Sequence, residues 1–241
     1  MRIPFVLRSR EIKRVPLVLL PLILACFVVS GPGYAREVAG KVTFLKGKAW
    51  VQEGVAKNPL DNGSVIYAGD QIRTGKKTSL QMRFLDKTFF ALGPEASMNI
   101  DSYDEAEEAE TSFATSILQG AFRFVSGLLA KNKPKTVKVR VSVGTIGIRG
   151  TDVAGEVFER RETDDGIVEA SAKVMLQEDE DGAYTAIEVF NEYGSVVIDE
   201  PGYGTEIPDE HSPPGPVRRM QIRSINNLMR AIRNTTRRKL P

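Results

Sequence analysis

Residues Thr136–Val153 read TVKVRVSVGTIGIRGTDV. Val137, Val139, Val141 and Val143 fall on one side of an extended chain, and Lys138, Arg140 and Ser142 on the other. A period of two marks a strand with one dry face and one wet face. Ile146 and Ile148 continue the dry side, while Gly147, Arg149 and Thr151 share the other. Glycine weakens a strand interior unless the backbone bends or a neighbour comes close. Gly147 and Gly150 are therefore expected to let the strand bend under a tight neighbour, with Arg149 capping carbonyls or pairing with Asp152 or Asp70.

Short strands of the same kind extend in both directions. KVTFLKGKAWVQ (41–52) reads as a strand pair hinged at Lys46–Gly47, and LDNGSVIYAGDQIRT (60–74) has turns at Asn62–Gly63 and Gly69–Asp70. SLQMRFL (79–85) alternates, TFFALG (88–93) follows a turn at Asp86–Lys87, and SMNID (97–101) comes next. ATSILQGAFRFVSG (114–127) carries a turn or bulge at Gly120. Further strands are read at DVAGEVF, GIVEASAKVML, AYTAIEVF and GSVVI, with EDEDG (178–182) as a hairpin turn. Close spacing without helical periods between the strands means an all-β body. Sandwich, closed barrel and solenoid all satisfy the periodicity, and glycine-hinged pairs favour a coiled, solenoid-like sheet.

The ends differ from the body. MRIPFVLRSREIKR is basic, VPLVLLPLILACFVVS is apolar for 16 residues, and Gly33 and Ala35 are small. That order is a secretory signal cleaved after Ala35, so 1–35 is read as a signal peptide and the mature chain as exported to the periplasm or cell surface. The apolar run is short for a span, which makes an inner-membrane anchor the secondary reading. Cys26, the one cysteine, leaves with the signal, so neither disulfides nor thiolate chemistry is expected.

The body is read as 39–205, followed by a Pro/Gly-rich linker at 206–216. An amphipathic basic helix follows at 217–239, with Pro216 in its first turn. Ile222, Ile225, Leu228, Met229 and Ile232 form its apolar stripe. From His211 to Pro241 there are eight Lys/Arg and no acids, whereas residues 36–210 carry twenty basic and thirty acidic residues, a net of −10. The helix can pack back on the body, lie on an anionic membrane, or grip a partner. Self-docking is the leading expectation, and nucleic acid is not expected as a partner.

Chemistry-bearing patterns are sparse. His211, the one histidine, lies in the linker. No phosphate loop or dinucleotide fingerprint follows a strand. The acidic run DSYDEAEEAE (101–110) lacks the spacing that arranges oxygen ligands around calcium and reads as a solvated loop. No catalytic residue, cofactor or metal is assigned.

VGTIGIRGTDV resembles the FecR domain family, whose members carry a TIGIRGT-like element. The resemblance extends over about residues 39–155, through the strand pair at 41–52, the L-x-x-G-x-x-I-x-x-G-D-x-I-x-T stretch at 60–74 and the later L-G-P turn. Its clearest points are Gly69, Asp70, Thr74, Gly93, Gly120, Thr145, Gly147, Arg149, Gly150 and Thr151. The resemblance implies an extracytoplasmic, β-solenoid-like domain in which these residues are structural and none is catalytic. The best-known members relay signals to sigma factors from the inner membrane. Only 14 residues precede the apolar run here, so that role is not carried over. The expectation is a non-catalytic exported interaction or regulatory module of the cell envelope with a protein partner. The alternative is a surface scaffold binding polysaccharide, with Trp50 as its aromatic residue.

Overall fold

The computed structural model describes residues 36–103, 113–127, 137–148, 151–178 and 186–238. The signal reading with its Ala35 cleavage, most of the acidic run, residues 179–182 of EDEDG, Arg149 and Gly150 lie outside the described residues. So does residue 239, the expected end of the helix.

The first strands are β1 (Val38–Lys46), β2 (Ala49–Glu53), β3 (Ala56–Leu60), β4 (Val65–Tyr67), β5 (Gln71–Thr74) and β6 (Ser79–Phe84). Next come β7 (Phe89–Leu92), β8 (Ser97–Tyr103), β9 (Phe113–Val125), β10 (Val137–Val141), β11 (Gly144–Ile148) and β12 (Asp152–Phe158). The last are β13 (Arg161–Thr163), β14 (Gly166–Val168), β15 (Ser171–Leu176), β16 (Ile187–Asn191), β17 (Gly194–Ile198), β18 (Tyr203–Ile207) and β19 (Arg218–Arg219). One helix, α1 (Arg223–Arg238), closes the described chain.

Seventeen of these strands form one hydrogen-bonded network folded into two layers, and β13–β14 make a separate hairpin. Sheet I has the order β4-β1-β6-β7-β9-β12-β15-β18-β19. Sheet II has the order β3-β2-β5-β8-β9-β10-β11-β16-β17. Neither layer closes into a barrel. Strand β9 belongs to both layers, passing from sheet II to sheet I at Gly120. All pairings are antiparallel except β9 with β10.

The chain repeatedly changes layer. β1 and β2, joined at Gly47, are not paired with each other, because the hinge sends the chain from sheet I to sheet II. The strands on either side of EDEDG do not pair with each other, since β15 lies in sheet I and β16 in sheet II. The opening stretch is also not one strand. It folds back at Ser142–Val143 into the hairpin β10–β11, with Val139 opposite Ile146 and Val137 opposite Ile148.

Alternation buries one face of each layer. Ile66, Leu80, Met82, Phe90, Leu92, Phe122 and Phe124 from sheet I meet Ile72, Met98, Ile100, Ile117, Val139 and Ile146 from sheet II, all at most 1% exposed. The Phe90 ring lies 6.1 Å from Phe122 and 5.5 Å, edge-on, from Phe124. Such pairs add about 0.5–1.5 kcal/mol beyond area burial.

The outer face of sheet I is covered by the C-terminal helix. Ile222, Ile225 and Leu228 are buried, and with the half-buried Met220 and Met229 the helix packs on Ala121, Ala154 and Met175 of β9, β12 and β15. Small residues and a methionine on the strands let the helix approach closely. The stripe that a membrane reading requires is thus spent on the sheet, while Arg223 and Arg230 face solvent. The helix begins at Arg223, not 217, because Arg218–Arg219 pair with Tyr203–Gly204 as an edge strand. Pro216 is accordingly outside its first turn, and the first residues of the expected linker, Glu206 and Ile207, complete β18.

Candidate functional site

Gly69, Asp70, Thr74, Gly93, Gly120 and Thr151 sit at the chain's crossings between layers. Tyr67–Asp70 is a tight turn closed by the Asp70 N–H on the Tyr67 carbonyl (3.1 Å), with Gly69 at φ 84°. A type II turn needs such a left-handed residue at its third position. Asp70 is buried, and its Oδ2 accepts the Tyr67 N–H at 2.9 Å. Its Oδ1 is held by the Arg36 guanidinium, which also reaches Glu53 (3.2 Å) and stands 4.9 Å over the Tyr67 ring.

Thr74 and Gly93 form a second lock with Gly120. The Thr74 hydroxyl donates to the Gly93 carbonyl (2.7 Å) and accepts the Ala96 N–H (2.8 Å). Gly93 N–H then donates to Ala121 on β9 at 2.8 Å. Gly120 has φ 96°, and a Cβ there would lie 2.6 Å from Ala96 Cα, so both conformation and space demand glycine.

The TIGIRGT element behaves differently from its expectation. Gly147 pairs regularly with Lys138 and Glu188 in the middle of sheet II. A Cβ on Gly147 would meet nothing nearer than 3.8 Å, so the bend under a tight neighbour is not made there. Gly155 on the following strand, β12, is crowded instead: a Cβ there would stand 2.5 Å from the Phe122 ring. Thr145 is half-buried between Arg140 and Phe190. Thr151 is buried, and its carbonyl accepts the Ser126 N–H at 3.1 Å. Of the acids named for Arg149, which itself lies outside the described residues, Asp70 is held by Arg36, and Asp152 receives a two-pronged contact from Arg123 with Nε at 2.9 and 3.0 Å. Arg123 also reaches the Met229 sulfur at 3.4 Å, tying β9, β12 and the helix together.

Among the described residues, no group of three His, Cys, Asp or Glu is placed to hold a metal ion. His211 is exposed, with its N–H on Asp209 (2.8 Å) and its ring 3.3 Å from the Tyr193 hydroxyl. The Asp209 carboxyl is held below its ordinary range, first by the His211 backbone N–H and then by the Ser212 hydroxyl. This is a turn cap.

A surface with binding chemistry lies on the outer face of sheet II, in front of the β9 bend. A groove of about 360 Å³ there is lined by Trp50, Arg73, Lys76, Glu95, Ser97 and Gln119, among others. Sequence reading singled out Trp50 alone. Outward positions were visible from alternation, but their juxtaposition depends on the order β2-β5-β8-β9, which no local pattern encodes.

Two crystal structures of a candidate anti-sigma factor from Parabacteroides distasonis, at 2.50 and 1.65 Å, are each 11% identical to this chain with TM-score 0.49. The alignments cover 66% of this chain and 63% and 64% of those chains, so the match spans less than two thirds of their length. No curated protein matches this chain. Residues 70–173 match the family model described as FecR protein. That span begins at the buried Asp70 and takes in Thr74, Gly93, Gly120, Gly147 and Thr151, and across it the chain is similar to the FecR family.

Proposed function

We propose that this protein is an exported, non-catalytic FecR-domain module that works by binding a protein partner in the bacterial periplasm or cell envelope. The observation that carries the reading is the use made of the motif side chains within the matched span. Asp70, Thr74 and Asp152 are buried and turned onto their own backbone or onto Arg36 and Arg123. A catalytic carboxylate or hydroxyl must face substrate, whereas these hold crossings between layers. A basic, apolar and small-residue order before Arg36 supports export, with cleavage after Ala35.

Fractionation of cells expressing the full chain, with N-terminal sequencing of the envelope form, tests the location. A mature chain starting at Arg36 in the periplasmic fraction is expected, and a cytoplasmic chain retaining Met1 would sink the proposal. In-cell cross-linking should give a discrete protein adduct. A hydrolytic activity abolished by one Asp or Glu substitution would replace the binding reading with an enzymatic one.

A further inference from the structure

The outer face of sheet II carries a line of side chains that the family motif does not use. Trp50 is the cross-strand partner of Arg73, Arg73 of Ser97, and Ser97 of Gln119. Their neighbours Val51, Ile72 and Met98 point into the core, so these four stand in one outward row across β2, β5, β8 and β9. At about 4.8 Å between strands the row is about 14 Å long. A second row runs beside it through Gln52, Gln71, Asn99 and Ser116. The two rows are linked by the Trp50 indole N–H on Gln52 (3.1 Å), and Gln71 donates to Asn99 (3.1 Å).

Three features point to a ligand. The first is Ser97, a groove-lining residue only 7% exposed, whose hydroxyl is buried beneath the groove surface and has no hydrogen-bond partner among the described residues. A buried hydroxyl left unpaired is unfavourable, and a ligand hydroxyl in the groove would satisfy it. The second is charge. Arg73 and Lys76 have no carboxylate partner among the described residues, and the Lys57 ammonium stands 4.9 Å over the indole. Glu95 is the one acid lining the groove, against the two cations Arg73 and Lys76, on a body whose residues 36–210 carry a net −10.

The third is composition. Neutral amides and hydroxyls with one aromatic ring suit a polyhydroxylated chain, which presents hydroxyl pairs to amides and an apolar ring face to indole. A protein partner would want a larger apolar patch. Single-stranded nucleic acid would want several stacking rings.

We propose that this face binds an extended, carboxylate-bearing polysaccharide running across the strands. A sugar ring packs on Trp50, its carboxylate takes the Arg73 fork, and its hydroxyls engage Ser97, Gln119 and the neighbouring amides. Lys57 swings aside on its flexible stem. The inference rests on the exported location proposed above only for access to such a polymer; the binding itself is independent of a protein partner.

Trp50 is the sole tryptophan, so intrinsic emission reports directly on the row. The full chain is titrated with polygalacturonate, alginate and soluble peptidoglycan strands, with a neutral β-glucan and polyglutamate as controls. At least one carboxylated glycan should give a saturable change in emission, with the neutral glucan at least tenfold weaker and polyglutamate inactive. Arg73→Gln and Ser97→Ala should each weaken binding at least tenfold by calorimetry, and Trp50→Ala should abolish it, with unchanged unfolding midpoints showing that the variants fold. A variant that does not fold is replaced by Gln119→Ala, which should also weaken binding. Silence with all three acidic glycans, equal response to polyglutamate, or wild-type binding by the Arg73 and Trp50 variants overturns the proposal. Glycan binding that persists while cells yield no cross-linked protein would count against the protein-partner reading and leave this one standing.

Discussion

Shortening the isoleucine that pins the C-terminal helix tests whether that helix belongs to the cooperative fold. Ile225 is 2% exposed and packs with Ile222 against Ala121, Ala154 and Met175 on the outer face of sheet I. Replacing a buried isoleucine by alanine costs about 2–5 kcal/mol, the lost transfer energy plus that of the cavity left behind. The lower part of that range applies here, because Met220 and Met229 border the site and flexible methionines refill gaps. Ile225→Ala should therefore cost about 2–3 kcal/mol. For a folded body of about 200 residues, at about 2–4 °C per kcal/mol, the melting midpoint falls by about 4–12 °C. Guanidinium unfolding followed through Trp50 is the suitable assay, because that residue sits in sheet II and reports loss of the whole body instead of helix fraying. A chain ended at Ser212 loses the helix altogether and uncovers Ala121, Ala154 and Met175, so its loss should equal or exceed that of the point variant. Wild-type midpoints for both proteins would refute the reasoning, since the docked helix would then contribute nothing to the stability of the body.

Two glycines should behave oppositely in the same unfolding assay. Gly120→Val, with φ 96° and Ala96 in the way, should abolish folding, while Gly147→Ala, with 3.8 Å of room, should lie within about 1 kcal/mol of wild type. Asp152→Asn removes one partner of an ion pair whose side chains are only 16% and 4% exposed. It should cost about 3–5 kcal/mol by denaturant titration, because Arg123 is left buried against the helix. Asp209 should titrate by NMR below its ordinary 3.8. A carboxyl depressed in the folded state stabilises above its unfolded pKa and loses that contribution as pH falls, so the 209–212 turn should loosen only under acid conditions.

Particular residues show how far the sequence could be read. The valines of 137–143 and the isoleucines at 146 and 148 were legible as core because alternation is a local signal. Their division into two strands was not, since Ser142–Val143 contains no glycine, asparagine or proline to mark a turn. Gly120 was legible as a bend, and its positive φ is the conformation glycine alone adopts freely. Gly147 misled, because a glycine's absent side chain says nothing about whether a neighbour fills the space. Gly155, which is crowded, looked like any other glycine in a strand.

By itself the sequence determined the β class, the dry and wet faces of each strand, the helix stripe and the motif positions, because each depends on neighbours a few residues apart. Only the tertiary structure decided which strands stand side by side. The chain changes layer repeatedly, so partners such as Trp50 and Arg73, or Ser97 and Gln119, are more than twenty residues apart in sequence yet share one row. It also decided the ion pairs of Asp70 and Asp152 and the burial of the helix stripe. Those outcomes follow from packing two layers and a helix around one core, where long-range geometry selects among contacts that local chemistry leaves equally open.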